Sequence, residues 1–240
     1  MAAAGAFPVT AEAADPPPLR LVVLDIGGTL IPDHGEVPNA MQSALGKGGI
    51  SVSFAEINDW RGASKRGMVK HFVELRGKPG ANRDTLIDSV YADFSAQADA
   101  AYRNVKPIPG VEKALDDMRR ANLLLATTTG FGRDLTDRIF QRLGWKGRFD
   151  ASVTSDDVVD GRPAPYMIFH AMEATHVNSV REVVAVGDTP LDLQAATNAG
   201  VRGAIGVYSG AATEERLRRQ PHTHILASVA NLPALLRSEF

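Results

Sequence analysis

The 240-residue sequence contains no cysteine, which excludes disulfide bonds, thiolate metal sites and cysteine nucleophiles together. Net charge is also nearly absent, because 26 Lys and Arg residues stand against 28 Asp and Glu residues. The sequence also has no basic run with interleaved aromatic residues. Nucleic acid is therefore not an expected partner. No apolar run approaches the roughly 20 residues that a membrane-spanning helix needs, so no membrane partner is expected either.

Residues 1–18 are rich in Ala and Pro and have neither an early Lys or Arg nor a continuous apolar segment of signal-peptide length, so this stretch is not expected to be a secretion signal. We expect these residues to form a disordered N-terminal extension and the protein to be cytoplasmic. Apolar residues make up 44% of the chain and charged residues 22%, which is typical of soluble globular proteins. The length allows one large domain, or a core of about 150 residues that carries a smaller insert.

A short apolar run, Leu21–Leu24, ends at Asp25 and is followed at once by Gly27 and Gly28. This pattern predicts a buried strand whose carboxyl end places Asp25 in a loop. Residues 38–104 then show helical patterns with no strand signal between them. Four helices are predicted there, at residues 39–45, 54–60, 64–75 and 84–102.

Beyond residue 107 the sequence alternates between helical and strand patterns, which favours a parallel sheet covered on both faces. Helices are predicted at residues 111–120 and 133–143, and strands at residues 123–127, 151–154, 183–186 and 202–207. We therefore predict an α/β fold with a doubly wound, mostly parallel sheet and a small all-helical cap domain inserted after the first strand. The core is assigned to residues 19–34 and 105–240, and the cap to residues 35–104. Such a cap would lie above the carboxyl ends of the strands, where open α/β sheets bind ligands.

Four loops that follow predicted strands carry phosphate-type or metal-type groups, namely residues 25–29, 127–130, 161–165 and 187–192. Each loop taken alone is more simply explained as a turn, since Asp and Gly are common turn formers. Arg162 before a proline is typical of a surface turn, the threonines at 127–129 of a strand end, and Asp188 and Asp192 of a helix cap. Their order along the chain, each at a strand end, favours a shared site.

This ordered set resembles the haloacid dehalogenase superfamily of hydrolases, whose members share a doubly wound core with a cap inserted after the first motif. Within it, residues 128–131, 155–158 and 161–165 look like the phosphonatase group, the phosphonoacetaldehyde hydrolases. The resemblance extends from Leu21 to Leu236. It implies a small phosphorylated or phosphonate substrate and a homodimer joined through the caps.

The chemistry expected of this set begins with Asp25, whose carboxylate can accept a phosphoryl group and pass it to water. A Mg²⁺ ion prefers hard oxygen ligands, and Asp188 and Asp192 are spaced four apart to supply them. Thr129 can donate to phosphoryl oxygens, and Arg162 can clamp them with its planar fork. The predicted metal ligands are Asp25, the Gly27 carbonyl, Asp188 and Asp192, and the predicted phosphate-binding residues are Gly28, Gly62, Thr129, Gly130 and Arg162.

Gly27 stands where most phosphatases of the superfamily carry a second Asp that protonates the leaving alkoxide. Loss of that general acid costs about 10²- to 10⁴-fold on an ester, which disfavours a plain phosphomonoesterase. Phosphonatase-like members have a small residue there, because their leaving carbon is stabilised by an iminium on a cap lysine. The matching residue is Lys65, although on spacing alone it would simply begin an exposed helix capped by Ser64.

Three positions depart from the phosphonatase pattern: Met68 replaces a His near the lysine, Arg61 replaces a Met, and Phe131 replaces a Tyr. They favour a related group with 2-oxo-alkylphosphonate substrates, and Arg61 is a neighbour whose charge can lower the pKa of Lys65.

Several alternatives stay open at this point. A phosphatase for a small phosphomonoester would not need Lys65, a noncatalytic phosphate-binding relative would not turn over, and a dehalogenase would not need Asp188 and Asp192 as metal ligands. Residues 25–29 also look like the first phosphate loop of sugar kinases related to actin and hexokinase. Those kinases need a second Gly-rich nucleotide-binding half, which this sequence does not show.

Overall fold

A six-stranded sheet with strand order β3-β2-β1-β4-β5-β6 forms the centre of the computed structural model, which describes residues 17–78 and 82–240. Every neighbouring pair of strands is parallel. The strands are β1 (Leu21–Asp25), β2 (Leu124–Thr129), β3 (Ala151–Thr154), β4 (Val183–Gly187), β5 (Gly203–Val207) and β6 (His224–Leu226).

Side chains of β1 alternate between two packed layers. Val22 and Leu24 belong to one apolar cluster, and Leu21 and Val23 to the other, and all four are at most 1% exposed. Full burial of each such side chain stabilises the fold by about 1.5–3 kcal/mol. A strand buried on both faces requires helices on both sides of the sheet. The predicted doubly wound α/β class is confirmed.

The described residues form ten α-helices, and the first four lie between β1 and β2 in the chain, as predicted. They are α1 (Glu36–Lys47), α2 (Phe54–Asp59), α3 (Lys65–Arg76) and α4 (Arg83–Ala101). The others are α5 (Val111–Arg120), α6 (Arg133–Leu143), α7 (Tyr166–Ala174), α8 (Pro190–Ala199), α9 (Glu214–Arg218) and α10 (Leu232–Glu239).

Helices α1 to α4 are amphipathic and bury their apolar faces against one another. Met41 of α1, Phe72 of α3 and Phe94 of α4 are at most 2% exposed and lie in the same apolar cluster as one face of the sheet. The described helices α1–α4 therefore match the all-helical insert, while the division into a core (19–34, 105–240) and a cap (35–104) stays a prediction. Of the predicted N-terminal extension, residues 1–16 lie outside the described residues.

The position of β1 in the middle of the sheet decides where the site forms. Asp25 pairs in register with Thr128 of β2, and Leu24 pairs with Val186 of β4. Because all strands run in the same direction, their carboxyl ends and the loops that follow meet at one edge. No helix among residues 17–78 and 82–240 is long and apolar enough to cross a membrane.

Candidate active site

Asp25 and Arg162 form a buried ion pair at the carboxyl edge of the sheet. Asp25 is 5% exposed and Arg162 is 6% exposed, and 2.8 Å separates Nη1 of Arg162 from Oδ1 of Asp25. Nη2 of Arg162 donates to the carbonyl (2.9 Å) and the hydroxyl (2.8 Å) of Thr128. The guanidinium is thereby fixed beside the predicted nucleophile, where a phosphoryl group would need positive charge.

Asp192 holds the other side of the guanidinium. Its Oδ1 lies 2.9 Å from Nε of Arg162, while its Oδ2 accepts from the N–H (3.0 Å) and hydroxyl (2.5 Å) of Thr189. Thr189 caps α8 and Asp192 is the third residue of that helix, so the two form a reciprocal capping box. Because both carboxylate oxygens of Asp192 have partners, its geometry fits orientation of Arg162 better than metal ligation.

Asp188 lies just before α8 and is 1% exposed. Its Oδ2 accepts from the Ala211 N–H at 2.6 Å, and a Cβ on Gly28 or on Gly210 would lie only 2.2 Å or 2.1 Å from that oxygen. Burial raises the pKa of Asp188 well above its usual range, and the negative charges of Asp25 and Asp192 add to the effect. The two glycines therefore allow the backbone to close around this carboxylate.

The donor groups at this edge fit a hard divalent cation. Burial raises the pKa of Asp25 to about 6, a shift that Arg162 opposes and Asp192 enhances. Asp25 and Asp188 repel each other inside the protein, and a cation between them would remove that repulsion. No group of three or more acidic or His side chains in the described residues is arranged to hold a metal ion, so a backbone oxygen such as the Gly27 carbonyl would have to complete the set.

Lys65 is buried, although it is the first residue of α3. Ser64 caps this helix by accepting from the Gly67 N–H, as its sequence position suggests. Lys65 is nevertheless 5% exposed, its Nζ donates to the Ala63 carbonyl at 2.7 Å, and Nζ lies 5.6 Å from the centroid of the Phe131 ring. The exposed-helix interpretation is wrong for this residue.

Burial lowers the pKa of Lys65 to about 8. The carboxylate of Asp25 opposes this shift, and the guanidinium groups of Arg162 and Arg61 reinforce it. An amine with this pKa is neutral in an appreciable fraction of molecules near pH 7, and a neutral amine can attack a carbonyl carbon.

Three glycines let the segment Arg61–Lys65 touch the loops of the core. A Cβ on Gly62 would lie 2.3 Å from Oγ1 of Thr189, and a Cβ on Gly130 would lie 2.2 Å from the Ala63 carbonyl oxygen. A Cβ on Gly161 would be 3.3 Å from Cβ of Ser64. The Lys65 N–H donates to the Gly130 carbonyl at 3.0 Å, and Nη1 of Arg162 donates to the Gly62 carbonyl at 3.3 Å.

Thr129 is 2% exposed at the end of β2, and its hydroxyl oxygen accepts from the Phe131 N–H at 3.1 Å. The same hydroxyl can still donate its own proton to a phosphoryl oxygen. Phe131 also faces Gly27, since a Cβ on Gly27 would lie 3.5 Å from the ring. Residue 27 therefore has room for a methyl group, but no acidic side chain stands there.

One cavity of about 30 Å³ collects most of the predicted site residues. Its lining includes Asp25, Gly27, Gly62, Lys65, Thr129, Gly130, Arg162 and Asp188. Gly28 and Asp192 stand directly behind this lining, against Asp188 and Arg162 respectively. The structure thus brings the predicted set together, while the role of each residue stays a prediction.

Asp33 also lines the cavity and was missed in the sequence, because it lies outside the four loop motifs. Its Oδ2 lies 2.5 Å from Nη2 of Arg61, with side-chain exposures of 6% and 15%. The Arg61 departure from the phosphonatase pattern therefore has a buried acidic partner in this chain. Met68, the second departure, is fully buried among the helices.

The sequence model of the haloacid dehalogenase-like hydrolase family matches residues 19–200 of the chain. The chain belongs to this family. It is a hydrolase of phosphonatase-like type, similar to the phosphonoacetaldehyde hydrolase of Parabacteroides distasonis, with 28% identity over 83% of this chain and 81% of that protein. Family membership decides against the sugar kinase interpretation.

Solved structures agree with this fold. A phosphonoacetaldehyde hydrolase-like protein from Oleispira antarctica aligns with a TM-score of 0.78 and 20% identity, over 99% of this chain and 95% of that one. A predicted phosphoglycolate phosphatase from Haemophilus somnus aligns with a TM-score of 0.73 and 16% identity, over 90% and 97% of the two chains. At these identities the likeness describes the fold, which phosphonatases and phosphatases share.

Proposed function

We propose that this hydrolase cleaves the C–P bond of a small 2-oxo-alkylphosphonate such as phosphonoacetaldehyde, through a Schiff base on Lys65 and an aspartyl-phosphate on Asp25. The observation that carries the proposal is the burial of the Lys65 amine in the same cavity as Asp25 and Arg162. The lowered pKa of that amine and its similarity in sequence position to the phosphonatase lysine give further support.

The reaction begins with neutral Lys65, whose nitrogen adds to the substrate carbonyl carbon and loses water to give an iminium. A carboxylate oxygen of Asp25 then attacks phosphorus, and the C–P bond breaks with its electron pair moving onto the carbon to give an enamine. Protonation of the enamine carbon and hydrolysis release the carbonyl product and free lysine. Water finally hydrolyses the aspartyl-phosphate to phosphate, so the sum consumes one water molecule.

Gly27 fits this sequence of steps, because the departing electron pair is taken up by the iminium and no alkoxide has to be protonated. Arg162 and the Thr129 hydroxyl are placed to neutralise the phosphoryl oxygens while Asp25 attacks. Mg²⁺ bound by Asp25, Asp188 and the Gly27 carbonyl would supply the positive charge that brings an anionic phosphonate to an anionic nucleophile.

A phosphatase for a small phosphomonoester is the second candidate. It is favoured by the fact that the contacts among Asp25, Arg162 and Asp192 do not involve Lys65. In that reaction Lys65 would contribute charge only, and the leaving alkoxide would have to take its proton from water or from the substrate itself.

Reduction with borohydride separates the two candidates. Incubation with phosphonoacetaldehyde and borohydride is expected to attach the two-carbon fragment to Lys65, as located by peptide mass mapping. Lys65→Ala should lose both the adduct and C–P cleavage, while its Asp25 can still be phosphorylated by an activated phosphomonoester. The matched control is Lys70→Ala on the same helix, where the lysine side chain is 63% exposed and pairs with Glu74.

Unchanged turnover of the best substrate by Lys65→Ala would overturn the Schiff-base proposal and leave the phosphatase. The cap-mediated homodimer, the cytoplasmic compartment and the absence of nucleic acid and membrane partners stay predictions.

A further inference from the structure

A second cavity of about 100 Å³ adjoins the active-site cavity and shares Arg61, Thr189 and Ala211 with it. We call it the outer chamber, and its remaining lining consists of Asn58, Pro190, Ala212 and Arg216. The chamber lies between the helical insert, which contributes Asn58 and Arg61, and the core, which contributes the rest. The three shared residues form the wall between the two cavities, so the outer chamber lies directly beside the active-site cavity.

The active-site cavity itself is small. Its volume of about 30 Å³ is about what two or three water molecules require, so the phosphonate and carbonyl group of the proposed substrate leave no space unused there. A further group on the carbonyl side of the substrate therefore needs space beyond this cavity, and Arg61 stands in the wall shared with the outer chamber. The outer chamber is the adjacent space that such a group would enter.

Among the described residues, the lining of the outer chamber includes two arginines and no acidic residue. Arg61 has its acidic partner, Asp33, on the side of the active-site cavity. The Arg216 side chain is 45% exposed, and its Nη2 lies 3.4 Å from Oδ1 of Asp59, which is a long ion pair. The Asp59 side chain is itself 76% exposed. Both acidic partners lie outside the lining, so the chamber offers donors from Arg61, Arg216 and the Asn58 amide, and the long, exposed pair of Arg216 leaves its guanidinium the more available of the two.

We propose that the outer chamber binds a carboxylate on the carbonyl side of the substrate, so that the preferred substrates are 2-oxo-alkylphosphonates that carry a carboxylate. Planar guanidinium groups match the geometry of a carboxylate, and a charge-assisted pair recognises it better than a methyl group of equal size. Arg216 is then a specificity-determining residue that lies away from the reacting atoms. This inference rests on the proposed phosphonate specificity.

Unreactive probes test the chamber without the chemistry. The two probes are 3-phosphonopropionate and propylphosphonate, which have similar length and end in a carboxylate and a methyl group respectively. Neither has a ketone or aldehyde that can react with Lys65. Both are measured in the presence of Mg²⁺. Calorimetry on the wild-type protein is expected to show about 10- to 100-fold tighter binding of 3-phosphonopropionate, as charge-assisted hydrogen bonds imply. Arg216→Ala should reduce that preference about tenfold and leave propylphosphonate binding unchanged.

Arg218→Ala is the matched control, because Arg218 belongs to the same helix α9 and pairs with Glu214 instead of lining the chamber. Its preference should equal that of the wild type. Equal affinities of the two probes for the wild type, or an unchanged preference in Arg216→Ala, would overturn the inference. If a Lys65 adduct forms but the carboxylate preference is absent, only the proposal of carboxylate binding in the outer chamber is rejected. If the preference is present but no adduct forms, only the Schiff-base proposal is rejected. Failure of both probes to bind would overturn phosphonate recognition and this inference together.

Discussion

The loops of the core and the segment Arg61–Lys65 position their functional groups by different means. On the core side, Arg162 is fixed by other side chains, since it bonds Asp25, Asp192 and Thr128. On the cap side, Lys65 is positioned by the start of a helix and by close backbone contacts at glycines. Under the proposed function, the core loops would provide the phosphoryl chemistry, and the segment Arg61–Lys65 would decide whether a carbonyl reaction is coupled to it.

The largest expected effect comes from the core side. Asp25→Asn should lower turnover of every substrate by roughly 10⁴-fold or more, because an amide cannot accept and release a phosphoryl group. The measurement is kcat on the best phosphonate and on an activated phosphomonoester, with circular dichroism to verify folding. Retained activity on either substrate would mean that Asp25 is not the nucleophile. The assignment of phosphoryl chemistry to the core loops, as opposed to the segment Arg61–Lys65, would then be wrong.

The next effect acts on the cap side through Gly130, a glycine of the core loop that follows β2. Gly130→Ala places a methyl group 2.2 Å from the Ala63 carbonyl oxygen and 3.0 Å from Nζ of Lys65, so the segment has to move. A displacement of this kind is expected to lower kcat/KM for the lysine-dependent reaction by about 10²-fold. Phosphorylation of Asp25 by an activated phosphomonoester should fall less, and the loss common to both reactions measures the predicted phosphate-binding role of Gly130.

Gly27→Ala is the control for that variant. Its methyl group would meet the Phe131 ring at 3.5 Å, an ordinary contact, so activity should remain close to that of the wild type. Equal losses of kcat/KM in the two variants would show that the added methyl group itself lowers activity, and not a displacement of Lys65.

The pH dependence of Schiff-base formation is a smaller and more specific effect. With a pKa of about 8, set mainly by burial, Lys65 is about 9% neutral at pH 7 and about 90% neutral at pH 9. Adduct formation with phosphonoacetaldehyde should therefore rise about tenfold between pH 7 and pH 9 and then level off. Adduct yields at short times over this pH range measure it. A yield that keeps rising beyond pH 10 would indicate an ordinary, solvated lysine.

Sequence reasoning located the core loops well, because four loops in order, each with an Asp, Thr or Gly close behind an apolar strand, are rarely produced by turn formation alone. It placed β2 at residues 123–127, whereas the strand continues to Thr129. Strand β6 was missed, because His224–Leu226 is a three-residue, half-buried edge strand with too short a pattern to detect. Asp33 was missed for another reason: its importance depends on a contact with Arg61, 28 residues away, and distant pairs leave no local signal.

The smallest expected effect is that of replacing Arg66, which follows Lys65 at the start of α3. Arg66 follows Lys65 directly but points outward, where it pairs with Asp88, lies over the Tyr91 ring and keeps half of its side chain exposed. Exposed pairs contribute about 0–1 kcal/mol, so Arg66→Ala should lower the free energy of unfolding by no more than that. Denaturant unfolding measures this change, and kcat/KM should stay within about twofold of the wild type, since Arg66 does not line the cavity.

Lys65→Met, by contrast, removes an amine that is buried at the N-terminus of α3. Burial and the positive end of the helix dipole both disfavour the charged ammonium form of this amine. Its loss should leave the fold as stable or more stable while abolishing the lysine-dependent reaction. A residue that lowers stability and yet is required for turnover is expected where function, not packing, determines its identity. If Arg66→Ala reduced turnover as strongly as Lys65→Met, the positive charge of the whole helix start, and not the buried amine, would be what the reaction uses.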